Sequence, residues 1–132
     1  MPGGKSYFAE FLKDAGANYL WSDDNASGYN PVAIERVLDR ATPAEYWIDS
    51  IYTERFNTLE DLAAKDSRYG LFRAVKEGKV YISDRQRKEN GANAFFQEGF
   101  ANPYLILADL TEIFHPELVS EHEFLFYRQI TP

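Results

Sequence analysis

The stretch NPYLILADLTEIFHPEL, Asn102 to Leu118, constrains the fold more than any other part of the chain. Pro103 suits the first position of a helix, where a missing N–H costs nothing, and Asn102 before it can cap. Tyr104, Leu105, Ile106, Leu107, Ala108, Leu110, Ile113 and Phe114 wrap nearly all round that helix. Asp109, Thr111 and Glu112 are left to one narrow polar side, so the pattern predicts a helix packed on two sides and lying against a sheet. Pro116 disfavours the α region for His115, which places the helix end near Phe114.

The rest of the chain supplies the elements around it. Tyr7, Phe8, Phe11, Leu12 and Ala15 share one face of a helix from Ser6 to Ala15, and Gly16 is placed to stop it in the left-handed region. A short aromatic strand is expected at Asn18 to Trp21, followed by a polar loop. Asn30 and Pro31 repeat the cap-plus-proline signal before a stripe of Ile34, Val37, Leu38 and Ala41, with Glu35, Arg36, Asp39 and Arg40 on the outer face. Thr42 and Pro43 end that helix.

A second strand is expected at Glu45 to Asp49. Thr58, with Asp61 three residues on, reads as a capping-box variant opening a short helix. Leu71, Phe72 and Val75 mark another helical piece between Ser67 and Glu77, closed by Gly78, and Val80 to Ser83 reads as a third strand. Asp84 to Gly99 is a long polar loop, of the kind that is often functional. The tail FLFYR reads as a strand or an apolar clamp. Helix and strand alternating in this way predict an α/β fold: a short parallel sheet in a three-layer arrangement, helices on both faces. A doubly wound domain would place a strand ahead of the opening glycine-rich turn, which favours a chain cut from a longer protein.

Composition narrows the function. The 132 residues suit a single domain, with 45% hydrophobic and 16% aromatic content for its core. A net charge of −7 argues against nucleic acid or an anionic membrane as the main partner. The absence of cysteine excludes disulfides and thiolate metal sites. Gly3-Gly4-Lys5-Ser6 resembles the end of a phosphate-binding loop, yet the motif needs a further glycine five residues before Gly4. A tight turn into a helix is the plainer reading. His115 and His122 lack helical zinc spacing and a third ligand, so no metal site is expected and His115 reads as a helix cap. No nucleophile signature appears, so no enzyme is expected and no cofactor is implied. Ligands of open α/β sheets bind at the carboxyl ends of parallel strands. That rule places a site around Trp21, Ser22, Asp23, Asp49, Ser50 and Arg85, with Trp21 nearer the cleft and Trp47 in the core.

Four segments carry a family resemblance: PGGKSYFAEFLKDAGANYLWSDD, AIERVLDRATPAEYWI, SRYGLFRAVKEGKVY and NPYLILADLTEIFHPEL. Together they resemble the C-terminal lobe of class III periplasmic substrate-binding proteins, the binding components of ABC importers for ferric siderophores, haem and cobalamin. IFHPEL is similar to the branch found in Bacteroides-like bacteria. The resemblance covers nearly the whole chain. It leaves out the family's N-terminal lobe, its long inter-lobe helix and the strand that should run into Pro2-Gly3-Gly4.

It implies a ligand, a metal chelate or a corrinoid, held between two lobes. It also implies docking on the importer permease through acidic side chains. Ala33-Ile34-Glu35-Arg36-Val37-Leu38 matches the family's docking pattern, which points to Glu35 with Asp39 one turn on; a merely solvated helix face is the other reading. A periplasmic or membrane-tethered location is implied in the same way. Without its partner lobe, the cleft surface is also where the fragment would self-associate. A small α/β nucleotide-binding domain or enzyme using Gly3-Gly4-Lys5-Ser6, and an interaction module with no small ligand, are the rival readings.

Overall fold

The computed structural model describes residues 4, 6–23, 33–49, 58–83, 85, 101–118 and 123–130. These combine helices with a small mixed sheet and fall into two compact units. One comprises Met1–Val32 with Gln86–Phe126, the other Ala33–Arg85 with Tyr127–Pro132.

The first unit contains α1 (Tyr7–Asp14) and α5 (Pro103–Phe114), which pack on each other. Ser6 caps α1, its hydroxyl accepting the Ala9 N–H at 3.1 Å. Phe8, Ala9, Phe11, Leu12 and Ala15 are buried. Gly16 ends the helix with φ +82°, and the bonds Gly16 N–H to Lys13 O and Ala17 N–H to Leu12 O complete a Schellman stop.

The expected strand at Asn18 to Trp21 does not form. Leu20 to Asp23 is a turn, with the Ser22 N–H bonded to Tyr19 O at 3.1 Å. The aromatic residues there signalled burial and not pairing: a strand needs a neighbour to take its N–H and C=O groups, and among the described residues the sheet consists of three other segments.

Pro103 begins α5 and Phe114 ends it, with His115 outside the α region ahead of Pro116. Asn102 makes no side-chain cap; its carbonyl accepts the Leu105 N–H instead. The helix buries a single stripe, Ile106, Asp109, Leu110 and Ile113, while Leu105, Leu107, Ala108 and Phe114 are half-buried and Tyr104 is exposed. The expected polar side is therefore misplaced at Asp109, which sits in the middle of the buried stripe. α5 belongs to a unit whose described residues contain no strand, so the expected packing against a sheet has no counterpart among them.

The second unit contains α2 (Ile34–Ala41), β1 (Trp47–Asp49), α3 (Leu59–Lys65), a 3-10 turn (Ser67–Leu71), α4 (Arg73–Lys76), β2 (Val80–Ile82) and β3 (Arg128–Gln129). β1 and β2 are parallel, pairing Trp47 with Val80, Ile48 with Tyr81 and Asp49 with Ile82. Parallel neighbours need a long connection, and α3, the 3-10 turn and α4 supply it. β3 pairs antiparallel with β2, Tyr81 opposite Gln129 and Ile82 opposite Arg128, so the sheet is mixed and not wholly parallel. The FLFYR tail thus contributes a strand only at its end, while Phe126 and Tyr127 are fully buried.

Local chemistry sets the boundaries in this unit as well. α2 starts at Ile34 after an extended Ala33, not at Pro31, which lies with Asn30 outside the described residues; Thr42 caps its end. Thr58 and Asp61 form a reciprocal capping box at α3, with bonds of 3.2 and 3.1 Å. Gly78, at φ +74°, closes α4 with a second Schellman pair, Gly78 N–H to Val75 O and Lys79 N–H to Ala74 O. Arg73 N–H reaches Thr42 O at 2.9 Å, tying the start of α4 to the end of α2.

The core gathers Leu62, Phe72, Ala74, Val75, Val80, Ile82 and Ile130, with Val37, Leu38, Ala41 and Trp47 packed against it. Val80 and Ile82 are two apart on one strand and so share a face of the sheet. Trp47 meets Tyr69 and Phe72 edge-on, at centroid distances of 5.3 and 5.4 Å, a favoured aromatic geometry. Leu71, which marks a helical piece in the sequence, ends the 3-10 turn and is 52% exposed.

Candidate functional site

The outer face of α2 is a charged surface. Val37, Leu38 and Ala41 turn inward to the core, which by helical periodicity leaves Glu35, Arg36, Asp39 and Arg40 exposed. Glu35 stands in the first turn, where the positive end of the helix dipole favours a carboxylate. Its Oε1 accepts from Arg68 Nη1 at 3.3 Å, with the Glu35 side chain 74% exposed.

Arg68 is itself held by Asp66. Nε donates to both Asp66 carboxylate oxygens at 3.0 and 3.2 Å, and Nη2 donates to Oδ2 at 2.7 Å. Asp66 also caps the 3-10 turn, accepting the Arg68 N–H at 2.9 Å. The side-chain bonds from Arg68, and then that backbone N–H, pull the Asp66 carboxyl down to about 2. Asp66 in turn raises the Arg68 guanidinium above its ordinary value. The cluster is acid, base, acid, with a net charge of −1 and its most exposed carboxylate on α2. Arg68 was not among the residues picked from sequence, because no spacing rule links positions 33 residues apart.

The residues expected to bind ligand divide between the two units. Trp21, Ser22 and Asp23 lie in the Leu20 to Asp23 turn of the first. Trp21 is buried at 7% exposure and its ring lies 6.1 Å from that of Tyr19, whereas Trp47 is only half-buried. The expected contrast, Trp21 towards a cleft and Trp47 in the core, is reversed in exposure, although Trp47 does pack on the core. Ser22 and Asp23 are exposed.

Asp49 is the last residue of β1 and Arg85 follows β2 by three residues, so the second unit brings these two to the carboxyl ends of neighbouring parallel strands. Arg85 is exposed. Ser50 and the Asp84 to Gly99 loop, Arg85 apart, lie outside the described residues. Among the described residues no three His, Asp or Glu side chains converge as metal ligands, and no helix is long and apolar enough to cross a membrane. His115 packs over Gly16 and has Nδ1 3.5 Å from Glu117 Oε1, and its backbone N–H bonds Thr111 O at the end of α5. Ser6, the last residue of the glycine-rich turn, has its hydroxyl engaged in capping α1.

No protein-family model and no solved structure matches the chain. An uncharacterized lipoprotein of Methanocaldococcus jannaschii is 27% identical over 131 residues, covering 96% of this chain. The chain spans 29% of the length of that curated relative.

Proposed function

We propose that the chain is the C-terminal lobe of a substrate-binding component of an ABC importer, for an iron complex such as a ferric siderophore or haem, or for cobalamin. The observation that carries this reading is the match of nearly the whole chain to less than a third of a longer lipoprotein, together with the four segments that resemble a class III binding-protein lobe. A lobe is a part of a larger protein by definition, and a lipid anchor is how such a protein stays beside its importer. In this reading the location is membrane-tethered on the periplasmic side. The sheet is the middle layer of three, with helices on both faces.

Asp49 and Arg85, at the carboxyl ends of β1 and β2, then belong to one wall of the ligand cleft. Glu35, with Asp39 a turn further on, meets basic groups of the permease. Charge complementarity suits this role, because an exposed carboxylate on a rigid helix steers encounter more than it stabilises the fold.

Calorimetric titration of this chain and of the full-length protein with haem, ferric siderophores and cobalamin tests the proposal. One wall of a two-walled cleft leaves about half of the ligand's contact surface in water, so the full-length protein binds one of these and the isolated chain binds it far more weakly. Submicromolar binding by the isolated chain would show a complete pocket within it and overturn the half-site. A nucleotide that binds in place of these ligands would favour the phosphate-loop reading of Gly3-Gly4-Lys5-Ser6.

A further inference from the structure

We draw no further inference here: the strongest candidate, the exposed Glu35–Arg68–Asp66 charge cluster between α2 and the 3-10 turn of the second unit, carries nothing beyond the docking face already proposed, because only hydrogen bonds among its own members mark it and nothing in the structure shows what covers it.

Discussion

Loss of the Asp109 side chain should cost this fold heavily for its size. Asp109 has no solvent exposure, and its carboxylate accepts the Leu125 N–H at 3.0 and 3.2 Å and the Phe126 N–H at 2.7 Å. These bonds pin the returning segment to α5 across 16 and 17 residues of sequence. A hydrogen bond to a charged group contributes about 1.5–3 kcal/mol, so removing the acceptor shared by two N–H groups should cost about 3–6 kcal/mol.

Asp109→Ala is therefore expected to lose that much stability, a large part of the total for a domain of this size. Asp109→Asn keeps one carbonyl acceptor and should lose about half as much. Asp109→Leu should not recover the loss, because the apolar side chain fills the space without accepting either N–H. Urea unfolding measures the three values, and amide exchange at Leu125 and Phe126 reports the local effect. If the Ala and Asn variants both stay within about 0.5 kcal/mol of the wild type, as surface substitutions do, the anchoring argument is refuted.

Gly16 and Gly78 both sit at positive φ, but a Cβ on Gly16 would lie 2.7 Å from His115 Nε2, whereas one on Gly78 meets nothing within 4 Å. Gly78→Ala should cost about 1–2 kcal/mol for the left-handed backbone alone, and Gly16→Ala clearly more; adding His115→Ala to Gly16→Ala should remove the excess, and equal costs for the two single variants would disprove the contact. The Asp66 carboxyl should titrate near 2 by carbon NMR, and Arg68→Ala should return it towards its ordinary 3.8. Because the folded value is the lower one, the stabilisation from this pair is complete above about pH 4 and is lost as pH falls towards 2. An unchanged midpoint in the Arg68 variant would assign the shift to some other cause. If Glu35 meets a permease arginine, as proposed, Glu35→Ala in the full-length protein should weaken stimulation of the importer ATPase with ligand affinity nearly unchanged, since an exposed ion pair contributes at most about 1 kcal/mol to folding. An equal loss of ligand binding would remove Glu35 from the docking face.

The sequence by itself determined the features whose causes lie within a turn or two of chain. The stops at Gly16 and Gly78, the capping box of Thr58 and Asp61, the start of α5 at Pro103 and its end before Pro116 were all legible. Each depends on φ preferences or on a bond between residues three to five apart, which spacing reveals directly. The parallel pairing of β1 with β2 followed from the helical segments between them, because parallel neighbours need such a crossover.

Tertiary structure alone decided the rest. Asp109 reads as a surface residue because its partners are the backbone N–H groups of Leu125 and Phe126, which have no side-chain identity to betray them. The Asn18 to Trp21 segment has strand composition but turns back on itself, since strand formation depends on a neighbour and not on propensity. Arg68 joins Glu35 only because the fold brings the 3-10 turn to the outer face of α2. Local rules place most of these helix ends closely, the start of α2 at Ile34 being an exception, while burial and charge pairing depend on contacts formed only when distant parts of the chain meet.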